Sequence, residues 1–204
     1  MNAPVNAPSD TLRVFIALDI PPGAKAALSE TIQQLQLVIP SGVRWVDPGG
    51  IHLTLKFLGN IDSSLVDGIL GAMRQASQGF GGRRFRLTLS GMGVFPNARQ
   101  PRVLWAGAQG DLDSLERLQL LVDQAVCQLG FAPEKRPFRP HLTIGRVQDG
   151  VSPPARRTVG EAVAGTRLPP VAEWAEWKVD ALHLIRSTLT PHGAIYTSLG
   201  RVDL

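Results

Sequence analysis

The same polar interruption occurs in two apolar segments of this chain. Residues 52–59 read HLTLKFLG and residues 141–147 read HLTIGRV. Apolar residues at alternate positions predict β-strands, and the recurrence of His-x-Thr in the same apolar frame indicates two similar halves. No short period runs through the rest of the chain, so a solenoid of stacked repeats is not indicated.

The two segments place matched polar side chains on one face of each predicted strand. Residues i and i+2 of a strand share a face and lie roughly 6–7 Å apart. His52 and Thr54 therefore point the same way, as do His141 and Thr143. The apolar residues of the same segments are expected to point into the core: Leu53, Leu55, Leu142 and Ile144. If a pseudo-two-fold axis relates the halves, the two polar pairs face each other across a groove.

The rest of the sequence predicts helices that alternate with pairs of strands. Helical spacing of apolar residues predicts helices over 22–39, 62–79 and 111–129. Strand patterns cover 12–18, 43–46, 51–58, 83–90, 102–107, 141–147, 176–186 and 194–203. Strand pairs between helices favour a mainly antiparallel α+β fold over a doubly wound parallel sheet.

The chain is interpreted as one domain with a tail and a surface segment. Residues 1–10 are expected to form a flexible N-terminal tail, and residues 11–204 a single bilobal domain. The Pro- and Gly-rich residues 148–175, which contain one short helical possibility, are expected to make a long excursion on the surface.

Composition and charge exclude several classes of protein. Hydrophobic residues make up 44% of the chain and charged residues 19%, which is typical of a globular protein rather than a disordered one. No apolar run approaches the roughly 18 residues that span a bilayer, and the first ten residues lack the pattern of a signal peptide. The net charge of +4 permits an anionic partner without by itself indicating nucleic acid. The single cysteine, Cys127, cannot form an internal disulfide and is interpreted as a packing residue in a reducing cytoplasm.

Two histidines and two hydroxyls suit the hydrolysis of a cyclic phosphodiester without a metal. One imidazole takes a proton from water while the other gives a proton to the departing ribose oxygen, and an unperturbed histidine titrates near 6.5. The threonine hydroxyls can hydrogen-bond the non-bridging phosphoryl oxygens, where negative charge develops. A zinc site is the competing interpretation, but zinc requires a further ligand at short spacing and neither motif has one. His183 and His192 have no partner motif and are interpreted as structural.

The paired segments resemble the HxTx signature of the 2H phosphoesterase superfamily. The frames RVFIALDIPP, RWVDPGGIHLTLKFLGN, GMGVFPNARQPRVLWAG and RPFRPHLTIGRV follow in this order. They are similar to those of the bacterial and archaeal RNA 2′,3′-cyclic phosphodiesterases, formerly known as 2′-5′ RNA ligases. The resemblance runs from about residue 12 to the C-terminus and is weakest over 148–175.

The resemblance implies a fold and a reaction. The implied fold is bilobal and α+β, with a mainly antiparallel sheet and flanking helices in each lobe and the two motifs lining the cleft between the lobes. The implied reaction opens an RNA 2′,3′-cyclic phosphate to a 2′-phosphate with neither metal nor cofactor, with His52 as proton donor and His141 as proton acceptor. Many members of the family also make and cleave 2′-5′ linkages reversibly. The expected partner is RNA ending in a 2′,3′-cyclic phosphate, such as a tRNA-like fragment or a short oligoribonucleotide, and we expect a cytoplasmic monomer.

The fifth residue after each histidine raises a physical problem. Strict alternation puts Phe57 and Arg146 on the core side, where an unpaired guanidinium is costly. A bulge or strand end at Gly145 would turn Arg146 into the groove. The resemblance implies an arginine for the phosphate and an aromatic residue for the terminal base here. We therefore expect Arg146 to bind phosphate and Phe57 to stack on a base, with core packing as the alternative for Phe57.

Lys56 and Arg139 each stand an even number of residues from the histidine of their motif, so strict alternation puts them on the same face as that histidine. Lys56 and Arg139 are expected to add positive potential to the groove, with solvated surface charges as an equal alternative. Two other functions also remain open. One is a phosphodiesterase for small cyclic nucleotides such as an ADP-ribose cyclic phosphate, and the other is a non-catalytic RNA-binding module. The intact histidine and threonine of both motifs favour an enzyme.

Overall fold

The computed structural model describes residues 10–168, 176–190 and 193–204 of the chain. Three expectations therefore lie wholly or partly outside the described residues. These are the N-terminal tail apart from Asp10, the end of the 148–175 segment, and the turn that holds His192. Within the described part, no helix has both the length and the apolar composition needed to cross a membrane.

The described residues form nine strands and four α-helices. The strands are β1 (Thr11–Asp19), β2 (Val43–Trp45), β3 (His52–Asp62), β4 (Phe85–Phe95), β5 (Val103–Gly110), β6 (His141–Val147), β7 (Glu176–Val179), β8 (Ala181–Thr190) and β9 (Gly193–Asp203). The helices are α1 (Pro22–Val38), α2 (Val66–Phe80), α3 (Leu112–Cys127) and α4 (Pro153–Gly165). Short 3₁₀ turns at Pro48–Gly50 and Ser63–Leu65 lead into β3 and α2.

All neighbouring strands are antiparallel and hydrogen-bond in the order β7-β4-β5-β6-β3-β1-β8-β9, with β2 paired to β6. Between β6 and β3 the hydrogen-bonded pairing is reduced to one register pair, Leu53 with Leu142. This pair joins the two lobes. The first lobe carries β3, β1, β8 and β9, and the second carries β7, β4, β5, β6 and β2. The expected bilobal, antiparallel α+β fold is confirmed, with its two sheets joined at this point.

Two helices accompany each lobe. In the first lobe α2 packs against α3 and β9, and α3 packs against β3. In the second lobe α4 packs against β4 and α1. The buried apolar residues form one cluster that extends through both lobes. Because a strand buries alternate residues against its helices, the other face of each sheet is left to line the cleft.

Part of the 148–175 segment is a helix that packs on the second lobe. Residues 153–165 form α4, whose Val159 and Val163 are buried. At Gly160 the helix approaches the loop after β4 so closely that a Cβ atom would lie 2.1 Å from the Ala98 carbonyl oxygen. A short helix forms in this Pro- and Gly-rich segment because Pro lies in its first turn, where it is tolerated, and Gly makes the close contact possible.

Candidate active site

The two His-x-Thr motifs meet at the junction of the lobes. Leu53 and Leu142, the central residues of the motifs, are register partners and are both fully buried. Because the strands are antiparallel, this register puts His52 on the Thr143 side of the junction and Thr54 on the His141 side. All four polar residues are half-buried and lie on the opposite face from the leucines. The four candidate groups are thus brought together across the junction.

Both imidazoles are oriented by the same backbone contact. Nδ1 of His52 lies 2.8 Å from the Gly50 carbonyl oxygen, and Nδ1 of His141 lies 2.7 Å from the Arg139 carbonyl oxygen. A carbonyl can only accept, so each Nδ1 carries its proton and donates it. In the neutral form of each ring the unprotonated nitrogen is therefore Nε2, which is free for proton transfer.

Aromatic side chains further restrict both rings. The His52 ring stacks on Phe15 with centroids 4.4 Å apart and meets Tyr196 edge-on at 5.0 Å. The His141 ring meets Phe95 edge-on at 5.1 Å. Such offset and edge-on contacts are favourable and limit rotation of the imidazoles. Both rings are thus held by one carbonyl and at least one aromatic neighbour.

Burial makes His52 a weaker base in the free protein. It lowers the pKa of His52 below the ordinary value of 6.5, against the opposing effects of the Gly50 carbonyl and the Asp19 charge. A smaller contribution in the lowering direction comes from His141, so the two imidazoles are within electrostatic range of one another. Burial also raises the pKa of the Tyr196 phenol, while the charges of Arg146 and Arg13 oppose that rise.

Matching bulges interrupt the alternation of β3 and β6. In the β1–β3 register Ala17 pairs with Thr54 and Ile16 with Lys56, so Leu55 has no counterpart. In the β5–β6 register Trp105 pairs with Thr143 and Leu104 with Gly145, so Ile144 has no counterpart. Both extra residues are the third after the histidine of their motif. An extra residue reverses which face the following side chains occupy.

The bulges decide the positions of Phe57 and Arg146. The Phe57 ring is 49% exposed and Arg146 is exposed, and both line the same groove as His52 and Thr54. The expected bulge beside Gly145 is thus present and turns Arg146 into the groove. The bulge at Leu55 of β3 likewise turns Phe57 away from the core, so core packing of Phe57 is excluded.

Lys56 does not lie in the groove, so the position predicted for it from strict strand alternation was wrong. The bulge at Leu55 turns Lys56 inward, where only 6% of the residue is exposed. Its ammonium group pairs with the Asp123 carboxylate of α3 at 2.5 Å and donates to the Ala132 carbonyl oxygen at 2.7 Å. These contacts compensate a charge that would otherwise be unpaired in the core.

Arg139 lies just before β6 and outside its hydrogen-bonded register. Its side chain is exposed and is not among the residues that line the groove, whereas its carbonyl orients His141. His183 lies on β8, where its pairing with Ala17 puts it on the same sheet face as Thr54 but outside the groove.

A groove of about 800 Å³ extends from His52 along the first lobe. Its walls come from β1, β2, β3, β6 and the β8–β9 hairpin. Arg13, Arg44 and Tyr196 are among the lining residues that the sequence interpretation missed. Arg13 alternates with Phe15 along β1, which is a weak local signal for a shared face, but Tyr196 is distant in sequence from both motifs and carries no such signal.

A metal site does not emerge from these residues. Over residues 10–168, 176–190 and 193–204, no three His, Cys, Asp or Glu side chains come together in a way that could hold a metal ion. Two acidic residues on segments next to the first motif are engaged otherwise. Asp19 pairs with Lys25 at 2.9 Å, and an Asp47 carboxylate oxygen accepts from the Gly49 N–H at 3.0 Å.

A family model matches each half of the chain. The model, described as LigT like Phosphoesterase, matches residues 18–105 and again residues 109–196. Each matched range contains one His-x-Thr motif, which agrees with two related halves. The matches together cover most of the chain.

Curated relatives and solved structures are similar over nearly the whole length. The RNA 2′,3′-cyclic phosphodiesterase of Methanothermobacter thermautotrophicus is 33% identical over 188 residues, covering 92% of this chain and 96% of the relative. That of Thermotoga maritima is 34% identical over 188 residues, covering 92% and 93%. TT0787 of Thermus thermophilus matches with a TM-score of 0.72 at 29% identity, covering 95% of this chain and 98% of that one. E. coli LigT complexed with 3′-AMP shares the fold, with a TM-score of 0.68 at 24% identity over 96% of this chain and 99% of that one.

Proposed function

The chain belongs to the LigT-like phosphoesterase family, and from this membership we propose that it hydrolyses RNA 2′,3′-cyclic phosphate ends to 2′-phosphomonoesters without a metal. The observation that carries the proposal is the register of Leu53 with Leu142, which brings both His-x-Thr motifs to one junction. The names of the curated relatives support the substrate class. The chemistry of two imidazoles and two hydroxyls supports a reaction that needs no Lewis acid.

In the proposed reaction His141 is the general base and His52 the general acid. His141 Nε2 accepts a proton from water as the water oxygen attacks phosphorus. The bond from phosphorus to O3′ breaks, and His52 Nε2 donates a proton to O3′. One proton is taken up and one is released, so the total is unchanged, but the histidines end in exchanged protonation states and must re-equilibrate with solvent.

The acid role requires His52 to be charged when substrate is bound. Burial lowers its pKa in the free protein, and we propose that the proton is recruited with the substrate. A bound phosphate anion favours the imidazolium form, as the Gly50 carbonyl already does. We assign to Thr54 and Thr143 the hydrogen bonds to the two non-bridging oxygens, where charge builds in the transition state.

Arg146 and Phe57 are assigned to the substrate rather than to proton transfer. Arg146 has no carboxylate partner among the described residues, and its guanidinium is suited to phosphate oxygens. Phe57 presents an exposed ring that can stack on the terminal base. The exposed Arg139 side chain adds positive potential beside His141 and has no specific contact to the substrate in this proposal.

The same site can run the reaction with a ribose hydroxyl in place of water. The 5′-hydroxyl oxygen of a second RNA attacks phosphorus, O3′ leaves, and a 2′-5′ linkage results with the same proton transfers. We propose this ligation as a secondary activity of the site.

The single, unpaired Cys127 is compatible with the proposed cytoplasmic location, and the site needs only one copy of the chain.

The test is hydrolysis of an oligoribonucleotide 2′,3′-cyclic phosphate in the presence of a chelator. Phosphorus NMR should show a 2′-phosphate, and His52→Ala and His141→Ala should each lose at least about 10²-fold in kcat. His183→Ala, which removes a histidine on the same sheet face outside the groove, is the matched control and should retain activity. A strict metal requirement would overturn the mechanism, a 3′-phosphate product would overturn the assignment of the leaving oxygen, and turnover of small cyclic nucleotides alone would reassign the substrate.

A further inference from the structure

Two arginines that line the groove are direct partners across strands. Arg44 of β2 pairs with Arg146 of β6, and both side chains are exposed on the groove side. Like charges directly opposite each other on a sheet are destabilising. Neither guanidinium forms an ion pair in the described part of the chain, so this repulsion is not relieved by the protein's own carboxylates.

A third arginine faces the same space. The Arg13 guanidinium of β1 lies over the Phe57 ring, 4.6 Å from its centroid. Arg13, Arg146 and Tyr196 all line this groove, and the charges of both arginines oppose the rise in the pKa of the Tyr196 phenol. Arg13 also has no ion pair among the described residues. We call Arg13, Arg44 and Arg146 the arginine rim.

The remaining groove walls do not balance this charge. Asp47 is the carboxylate among the described lining residues, and it already accepts a hydrogen bond from the Gly49 N–H. Apolar and aromatic residues, among them Trp45, Leu189 and Ile195, line the groove together with Phe57. Unbalanced guanidinium charge beside flat apolar surfaces suits a chain of phosphates and bases.

The rim extends beyond what a terminal nucleotide requires. The proposed function uses His52, Thr54 and Arg146 for the cyclic phosphate and Phe57 for its base. Arg44 and Arg13 belong to strands outside both motifs and are not used by that chemistry. The groove volume of about 800 Å³ lies in the upper part of the range of pockets that bind whole small molecules, roughly 300–1,000 Å³.

We propose that Arg44 and Arg13 of the arginine rim bind the internucleotide phosphate that precedes the terminal nucleotide, while Arg146 stays with the cyclic phosphate, so that the protein selects RNA of at least two nucleotides over a cyclic mononucleotide. This inference rests on the proposed function, because it names the substrate class of the same site. Arg13 has a second effect in this proposal. By lying on one face of the Phe57 ring, Arg13 leaves the other face for the terminal base.

The test changes the charge of one linkage. A diribonucleotide 2′,3′-cyclic phosphate is compared with the same compound carrying a neutral methylphosphonate between its two nucleosides. The wild-type protein should prefer the charged linkage by about 10- to 100-fold in kcat/KM, the range expected for hydrogen bonds to a charged group. Arg44→Gln and Arg13→Gln should each remove most of this preference. The preference is a ratio within one variant, so a general loss of activity cancels.

Arg74→Gln is the matched control, since Arg74 is exposed on α2 and lies outside the groove. It should keep the wild-type preference. Equal rates for the two linkages in wild type, or an unchanged preference in Arg44→Gln, overturn the inference. If no cyclic phosphate is hydrolysed, the proposed function fails separately. The rim is then tested by calorimetric binding of the two dinucleotides ending in a 2′-phosphate, where equal affinities overturn the inference and tighter binding of the charged linkage supports it.

Discussion

Leu53 of β3 and Leu142 of β6 are paired across the junction of the two lobes, and both side chains are fully buried. Each leucine stands between the histidine and the threonine of its motif. Because the leucines point into the core, their neighbours point into the cleft. Packing at this one pair therefore sets the relative positions of all four candidate catalytic groups.

Truncation at this pair should affect both stability and catalysis. Leu142→Ala leaves a cavity at the junction and is expected to lower the free energy of unfolding by about 2–5 kcal/mol. Loosened register should lower kcat more than it raises KM, since proton transfer depends on geometry. Urea unfolding and steady-state kinetics measure the two effects. Leu37→Ala, at a residue 85% exposed on α1, is the control and should change neither; a stable and fully active Leu142→Ala would contradict the argument.

The buried pair of Lys56 and Asp123 should behave as a unit. Lys56→Met leaves the Asp123 carboxylate buried without its cation, and we expect a loss of about 3–5 kcal/mol in the free energy of unfolding. The double variant Lys56→Met/Asp123→Leu removes both charges and should recover much of that loss. Chemical denaturation of the single and double variants measures the coupling. If the two substitutions were simply additive, the pair would not be acting as a unit.

Acid should destabilise the protein partly through His52. Burial lowers the pKa of folded His52, so the unfolded state binds more protons between that lowered pKa and the ordinary value of 6.5. The stability due to this shift is therefore complete above about pH 6.5 and is lost as the pH falls. The fall in the free energy of unfolding between neutral and acid pH should be smaller in His52→Asn. The pKa of His183 is also lowered by burial. Because His183 is present in both proteins, its contribution to the pH dependence is the same in each.

The same residue gives a spectroscopic prediction. Proton NMR of the imidazole should show a His52 midpoint below 6.5 in the free protein. Adding inorganic phosphate should raise the midpoint, because an anion in the site favours the imidazolium form. A midpoint that phosphate leaves unchanged would contradict the recruitment of the proton with the substrate.

Gly145 is expected to control the position of β2. A Cβ atom at this residue would lie 2.9 Å from a Val43 methyl group and 3.2 Å from the Trp45 ring. Gly145→Ala should therefore displace β2, which carries Arg44, and cost about 1–3 kcal/mol in the free energy of unfolding. Gly71→Ala is the control, because its added methyl group meets no atom within 4 Å on α2 and should stabilise the protein by about 0.5–1 kcal/mol. Thermal unfolding of both variants distinguishes crowding at β2 from a general effect of the substitution.

Phe57 should contribute to substrate affinity without contributing much to stability. Its ring is 49% exposed, so Phe57→Leu is expected to leave the melting temperature nearly unchanged. Loss of stacking on the base should weaken binding of the substrate by about 5- to 100-fold, seen as a higher KM or a lower affinity for the 2′-phosphate product. An unchanged affinity would remove Phe57 from the proposed site.

The strand pattern of the two motifs was sufficient to predict which groups meet in the cleft. His52 and Thr54, and likewise His141 and Thr143, share a face because the period of a strand is two, and that period holds up to the threonine. Beyond the threonine the prediction depended on a bulge. Gly145 provided a reason to expect one in β6, but no glycine marks Leu55 in β3, so Lys56 was assigned to the groove and Phe57 was left undecided.

The segment over 148–175 shows a second limit of local pattern. Its prolines and glycines predicted a surface excursion with one short helical possibility, and α4 forms there because its apolar face, Val159 and Val163, packs into the second lobe. Burial of such a face outweighs a weak intrinsic preference for helix.

The sequence by itself determined the antiparallel α+β class, the two related halves and the four candidate catalytic groups, because these depend on hydrophobic periodicity and on motif chemistry within single strands. Only the tertiary structure decided the pairing of Leu53 with Leu142, the burial of Lys56 on Asp123 and the convergence of Arg13, Arg44 and Arg146 on one groove. These depend on register, bulges and packing between segments far apart in the chain, and strand register is set by the neighbouring strand as much as by the strand's own residues.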